Sequence, residues 1–411
     1  MRILSLAPTS FFGDYGCHVR ILEEARALRA LGHEVTIVTY YKGSDVPDVP
    51  IIRSAPTPWR SHYEVGSSRH KYAFDVLLTL KLMQVLARQR FDVIHAHLHE
   101  GALIGSVVGR LFGVPVAFDY QGSLSDEIVQ HNFVRAGSLS HRFFAHLERV
   151  INRLPRVIFT STHHAAAQLS AALGNRARVF PLPDGVNTKV FHPRVITPEA
   201  RAALRAQLGI NPNEPVVVFL GLLAAHQGIQ HLIEAAAILQ QQGVHARWLV
   251  MGYPSEAHWR AQAQQAGVGQ TMIFTGRVPY ADAPRMLALG DIAVAPKRSL
   301  TEGSGKLLNY MAMGLPVVAF DTPAQREYLG ALGVYAPVGD SAALAHHVAA
   351  LLAAPEQRRR LGEQLRDLAV RNYSWERAAQ VMLKGYCYLL GDRAVLPRDI
   401  PCAVISRRED S

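Results

Sequence analysis

Short apolar runs alternate with longer stretches of helical periodicity from one end of the chain to the other. In the first half, Arg2–Ala7, Glu34–Thr39, Asp92–His95, Pro115–Tyr120, Val157–Thr160 and Arg178–Phe180 read as strands, with helices such as His18–Leu31 and Tyr72–Arg90 between them. The pattern then restarts. Pro215–Leu220, Ala246–Met251, Met272–Thr275, Ile292–Ala295, Pro316–Phe320 and Gly333–Tyr335 read as strands. Gly228–Gln242, Trp259–Gly267, Ala281–Leu289, Lys306–Met313 and Ser341–Leu352 read as the helices between them. Such alternation predicts parallel sheets covered by helices on both faces, an α/β fold in two halves of similar size. The junction is Leu182–Asn213, rich in proline and poor in apolar runs. The predicted division is a first domain over 1–185 and a second over 186–374. The helix Trp375–Leu390 belongs to neither half alone, and 391–411 is a loosely held tail.

Composition narrows the class. At 411 residues, 49% hydrophobic and 18% charged, the chain is a globular protein large enough for two cores. It shows neither a signal-peptide layout nor an apolar run of about 18 residues, the minimum for a membrane span. Cys17, Cys387 and Cys402 have no metal-type spacing. Together these predict a cytoplasmic protein. A net charge of +10 favours anionic partners: a nucleotide phosphate, an anionic membrane at the inner face of the cell, or nucleic acid. No nucleic-acid reader motif is present, so no nucleic-acid partner is expected.

Candidate chemistry concentrates in Thr301–Asp321, TEGSGKLLNYMAMGLPVVAFD. Gly303, Ser304 and Gly305 leave backbone amides accessible, and a helix N-terminus follows them, an arrangement that holds phosphate. Helical spacing places Lys306, Asn309, Tyr310 and Met313 on one face and Leu307, Leu308 and Met311 on the core side. Lys297 and Arg298 add cations just upstream, and Glu302 is the acid of the loop. A solvated basic loop is the plainer alternative. In open α/β sheets ligands collect beyond the carboxyl ends of strands. There Gly13 and Gly16 bracket a loop, Gly221 closes a strand, and Gln227 stands at a helix start. His95, His97 and His99 alternate, as they would on one face of a strand, with His97 or His99 lining a cleft. Metal binding would need converging ligands from elsewhere, and none has a recognisable pattern. Asp119, Gln121 and Ser123 are polar at a strand end, facing a substrate or simply shaping a turn.

Taken together, several blocks resemble glycosyltransferase family 4. They are RALRALGHEVTIVT, FDVIHAH, LPDGVNTKVFHP, FTGRVPYADAPRMLALGDIAVAP and KLLNYMAMGLPVVA, in family order over nearly the whole chain. The resemblance implies the GT-B fold, two Rossmann-like domains facing each other across a cleft. It implies an acceptor in the first domain, a donor in the second, and Trp375–Leu390 crossing back to the first. The activity implied is a retaining transfer of a hexose from a nucleotide diphosphate sugar to an acceptor hydroxyl, without a further cofactor or a metal. A sugar or lipid-linked acceptor and a role in cell-envelope or polysaccharide assembly complete the picture. Glu302 would support the sugar, with Gln121 and His97 beside the reaction. Gly221, Gln227, Gly276, Arg277, Val278, Lys297, Arg298, Gly303, Ser304, Gly305, Lys306, Leu307 and Asn309 would bind the donor. Gly13, Gly16, Arg20, His99 and Asp119 would form the acceptor side.

Four positions depart from the family pattern. Its Arg and Lys after the first strand of the second domain fall at Leu222 and Gln227, its cleft His at Gln121, and its second acid at Asn309. Lys306, with Lys297 and Arg298, matches a variant that places positive charge on the donor helix. A non-catalytic sugar-nucleotide-binding subunit is the competing reading. Pro58–Tyr72 mixes aromatic and basic residues, which suits a peripheral membrane contact or a mobile surface loop.

Overall fold

The computed structural model describes residues 1–14, 16–56, 71–130, 134–298 and 304–391. Its strands are nearly continuous apolar runs, as strands buried on both faces must be. Seven form a parallel sheet: β1 (Arg2–Ala7), β2 (Glu34–Thr39), β3 (Ile51–Arg53), β4 (Val93–His97), β5 (Val116–Tyr120), β6 (Val157–Thr160) and β7 (Arg178–Pro181), in the order β3-β2-β1-β4-β5-β6-β7. Six more form a second parallel sheet: β8 (Val216–Leu220), β9 (Arg247–Met251), β10 (Met272–Gly276), β11 (Ile292–Ala295), β12 (Val317–Phe320) and β13 (Val334–Ala336), in the order β10-β9-β8-β11-β12-β13. Strand order reverses between β1 and β4 and again between β8 and β11. Those switch points are where a doubly wound sheet opens a crevice.

The first sheet carries α1 (Gly16–Ala30), α2 (Lys71–Arg88), α3 (Leu98–Phe112), α4 (Leu124–Gln130), α5 (Leu139–Ile151) and α6 (His163–Leu173). The second carries α7 (Pro198–Gln207), α8 (Ile229–Gln241), α9 (Glu256–Gln265), α10 (Ala283–Leu287), α11 (Gly305–Ala312), α12 (Pro323–Leu329), α13 (Ser341–Ala353) and α14 (Pro355–Asn372), and α15 (Trp375–Leu390) ends the described chain. Local chemistry starts several of them: the side chains of Thr162, Thr322, Asp340 and Ser374 each accept a backbone N–H from the first turn.

Period-two alternation along the strands divides each core. In the first sheet Ile3, Ile37 and Val93 pack with α1 and α15 on one face. Leu4, Val38 and Ile94 pack with α2 and α3 on the other, and Phe118 and Ile158 extend that layer to α5 and α6. In the second sheet α11, α12 and α14 cover one face, and α8 and α13 the other. Helix α15 follows α14 in sequence but buries Trp375, Met382 and Tyr386 against the first sheet.

Two findings differ from the sequence reading. Strand β3 went unforeseen, because three residues at a sheet edge carry no periodic signal. Strand β4 ends at His97, and His99 already lies in α3, so the three histidines do not share one strand face.

The sheets are joined by side chains as well as by the chain. Asp14 accepts hydrogen bonds from Arg277 and from the Tyr280 backbone at 2.5–3.0 Å, and Tyr253 donates to the Gly13 carbonyl at 3.1 Å. Across the other rim, the Glu327 carboxylate accepts the backbone N–H groups of His163 and His164 at the start of α6.

Candidate active site

The second domain builds its part of the crevice from three chain segments. Helix α11 opens with Ser304 as its N-cap, and the Ser304 hydroxyl is buried with no hydrogen-bond partner among the described residues. Two residues on, Lys306 Nζ reaches back across the end of β8. It donates to Gln227 Oε1 at 2.9 Å and sits 4.2 Å above the Phe219 ring. Gly221, at φ +152°, makes this approach possible, because a Cβ there would stand 3.2 Å from Lys306 Nζ. Gln227 itself is nearly buried, Lys297 is buried beside it, and Arg298 is exposed with its backbone N–H on the His226 carbonyl. Asn309 is half-buried on the same helix. Gly276 closes β10 with Val278 two residues beyond, and a positive φ at Gly276 turns the chain there.

Three expectations are corrected here. Tyr310 and Met313 do not share the outward face with Lys306. Both are buried, and Tyr310 OH accepts the Leu220 N–H at 2.7 Å, which ties α11 to β8. Leu307 is fully buried, so its side chain serves the core. Arg277 points toward the first domain, onto Asp14. Glu302 and Gly303 lie outside the described residues, as do the stretch 57–70 and the tail 392–411.

The first domain presents a different construction. Arg20 on α1 is 3% exposed and feeds its guanidinium to three acids. It donates to Asp119 at 2.7–3.2 Å, to Asp184 at 2.7 Å and to the Leu182 carbonyl at 3.1 Å, and its Nε lies 3.0 Å from Glu24. Burial opposes every charge in this group. For Asp119 the combined pull of Arg20 and His97 outweighs that cost and holds the carboxyl well below its usual range. For Asp184 burial prevails and raises it.

His97 is 1% exposed, with Nδ1 on Asp119 at 3.0 Å and Nε2 on Ser5 at 2.9 Å; burial lowers its pKa. The imidazole expected to line the cleft therefore has both nitrogens engaged inside the domain, and Arg20 and Asp119 are likewise interior. His99 sits in a separate pocket between Phe118 and Tyr120, 3.7 Å from Glu148. Gln121 is half-buried and donates to Asp119 at 2.8 Å, which makes it the member of this network nearest the strand end. Gly16 starts α1 with open space around its Cα, whereas the Gly13 carbonyl is occupied by Tyr253.

Glu24, His95, His97 and Asp119 place ligand-type atoms within 4.8 Å of one another. This set has a composition suited to a metal, yet the guanidinium of Arg20 already lies among its carboxylates as a resident cation. A cavity of ≈ 10 Å³ beside Glu24 and His95 has room for about one water.

Sequence reasoning missed Glu24 and Asp184. The signal for Glu24 was an acid four residues after Arg20 in an otherwise apolar stripe, the spacing of an ion pair. Asp184 carried no such signal, since only folding brings the junction back to α1. It also holds the seam between domains. Its N–H donates to Tyr328 OH at 3.2 Å, which donates onward to the Ser161 carbonyl at 3.0 Å.

Comparison with known proteins agrees with this architecture. Residues 15–185 match the family described as "Glycosyl transferase 4-like domain", and residues 200–368 match "Glycosyl transferases group 1". The 2-deoxystreptamine glucosyltransferase of Streptomyces kanamyceticus is 27% identical over 82% of this chain and 89% of its own. The phosphatidyl-myo-inositol mannosyltransferase of Mycobacterium leprae is 26% identical over 94% of this chain and 96% of its own. The crystal structure of Anabaena HepE with UDP and glucose superposes with a TM-score of 0.74 at 18% identity, covering 95% of this chain and all of that one.

Proposed function

The chain belongs to the GT-B glycosyltransferases of the family 4 type, and from that premise we propose that it transfers a hexose from a nucleotide diphosphate sugar to an acceptor hydroxyl with retention of configuration. The observation that carries this reading is the buried Ser304 hydroxyl at the N-terminus of α11, without a partner among the described residues and two residues before Lys306. A polar atom buried without a partner is costly unless a ligand satisfies it. An anionic phosphate at this place would meet the hydroxyl, the amides of the first turn and the Lys306 ammonium together.

When the sugar–phosphate bond breaks, negative charge grows on the departing diphosphate. Fixed donors aimed at that charge lower the barrier. Lys306 and the α11 terminus supply them, in the place of the family cations that fall at Leu222 and Gln227. Glu302 would steady the positive charge that develops on the sugar. We assign contact with the reacting sugar or acceptor to Gln121, which donates to Asp119, and its positioning to Asp119 with Arg20 and His97; the shared hydrogen bonds of Asp119 support this. Residues 1–185 are assigned to the acceptor, 186–374 to the donor, and 375–390 to the helix that returns to the first domain. A lipid-bearing acceptor of the cell envelope fits the mannosyltransferase relative, whose name specifies phosphatidyl-myo-inositol.

A thermal-shift panel of nucleotide sugars tests the donor, because a ligand stabilises the fold it binds. Release of nucleotide diphosphate from the stabilising sugar then tests catalysis. Stabilisation without any release, even with acceptors supplied, would favour a sugar-nucleotide-binding subunit instead.

A further inference from the structure

Among the described residues, the large apolar side chains exposed by 58% or more all lie on three helices: Tyr72, Val76 and Leu80 on α2, Val107 and Leu111 on α3, and Leu139 and Phe143 on α5. Within each helix they recur four residues apart, which makes a stripe. The helices form one layer over the first sheet. Helices α2 and α3 share the core cluster around Leu4 and Ile94, and α3 and α5 share the one around Phe118. Their opposite faces are buried there, so the stripes point outward side by side.

Charge on this layer is one-sided. Arg88, Arg110, Arg142 and Arg149 are exposed on the three helices. The acids of the same helices are turned inward. Asp75 accepts the Tyr40 hydroxyl at 2.5 Å, Glu100 pairs with Lys71 at 2.8 Å, and Glu148 is buried under Ser123 and Ser125. An exposed acid, Asp126, appears on the neighbouring helix α4. A soluble surface of this size ordinarily mixes both signs and few large apolar groups.

We propose that the outer face of α2, α3 and α5 docks in the plane of a bilayer that carries anionic headgroups. Apolar stripes with interleaved arginines suit the boundary between headgroups and acyl chains, where the arginines meet lipid phosphates. A second copy of the chain fits less well, because a two-fold contact would set arginine against arginine with no acid to answer it. No described helix is long and apolar enough to cross a membrane, so the contact is lateral. Helix α3 starts directly after His97, at the crevice end of β4, so docking would bring the acceptor side of the crevice to the lipid surface. That last step, to a lipid-borne acceptor, rests on the transferase reading; the docking itself does not.

Co-sedimentation of the full chain with phosphatidylcholine vesicles, with and without phosphatidylglycerol, tests the proposal. Binding is expected on the anionic vesicles, weakening as salt rises. The double variant Arg142→Gln/Arg149→Gln should weaken it about 25-fold, at about fivefold per arginine. Leu139→Ser/Phe143→Ser should weaken it at every salt concentration. Both variants should melt like the parent and release nucleotide diphosphate from the donor at the parental rate. The proposal fails if the parent ignores anionic vesicles, if both variants bind as the parent does, or if the parent self-associates through this face and the variants do not. Vesicle binding with no donor turnover would sink the transferase reading and leave the docking surface standing.

Discussion

The two domains build their ends of the crevice differently. At the end of the first sheet, Arg20 is surrounded by Asp119, Asp184 and Glu24, and both nitrogens of His97 are taken. At the end of the second, the buried hydroxyl of Ser304 has no partner among the described residues, and the contacts of Lys306 include a neutral amide and an aromatic face. A buried charge that is internally compensated serves the fold, and removing one partner exposes the desolvation cost of the others. A group with spare hydrogen-bonding capacity is ready for a ligand. Buried polar side chains therefore do different work on the two sides of one cleft.

Mutations should separate these roles. Arg20→Ala leaves three acids without their cation and should cost about 3–5 kcal/mol of stability, read by urea unfolding at neutral pH. A loss below about 1 kcal/mol would mean the acids are compensated in another way. Lys306→Ala should do the reverse. It should weaken donor binding by roughly tenfold to a hundredfold, the worth of a charge-assisted hydrogen bond, with little change in unfolding of the free protein. Unchanged donor affinity in a titration would remove Lys306 from the site and with it the idea that positive charge has moved onto α11.

Ser304→Ala is the finer test, because its two effects should have opposite signs. The free protein should be as stable as the parent or slightly more so, since a buried unpaired hydroxyl is gone, while donor affinity should fall about fivefold. A loss in both would make Ser304 an ordinary structural residue.

The smallest effect at neutral pH belongs to His18, buried beside Thr9 with its pKa pushed down to about 3 by burial and secondarily by Arg277. The folded protein then holds a neutral ring while the unfolded chain protonates near the ordinary value. Its contribution is present above about pH 6.5 and is lost as pH falls toward 3, by about 1.4 kcal/mol per unit. In His18→Gln the acid side of the stability profile should be shallower by that amount, and parallel profiles would contradict it.

Much of this arrangement was legible in the chain. Strands β1, β2, β6 and β11 and helix α15 have the bounds read from apolar periodicity, because a parallel strand buried on both faces leaves an unbroken apolar run. The α11 segment was legible for a similar reason: glycines, a helix start and a lysine lie within a few residues of each other. What failed to show was long-range. Tyr310 has the spacing of an outward residue, yet its hydroxyl belongs to Leu220. Arg277 has the look of a ligand-binding cation, yet it answers Asp14 in the other domain.

By itself, then, the sequence determined two α/β halves of alternating strands and helices, the helix Trp375–Leu390 and the family to which they belong. These follow from local periodicity and turn chemistry, which act over a few residues. Tertiary structure alone decided which polar side chains face the crevice and which are consumed inside it. That choice depends on partners more than ninety residues apart, Ser5 with His97 and Arg20 with Asp119 and Asp184, and on the burial that makes each unpaired charge too costly to leave alone.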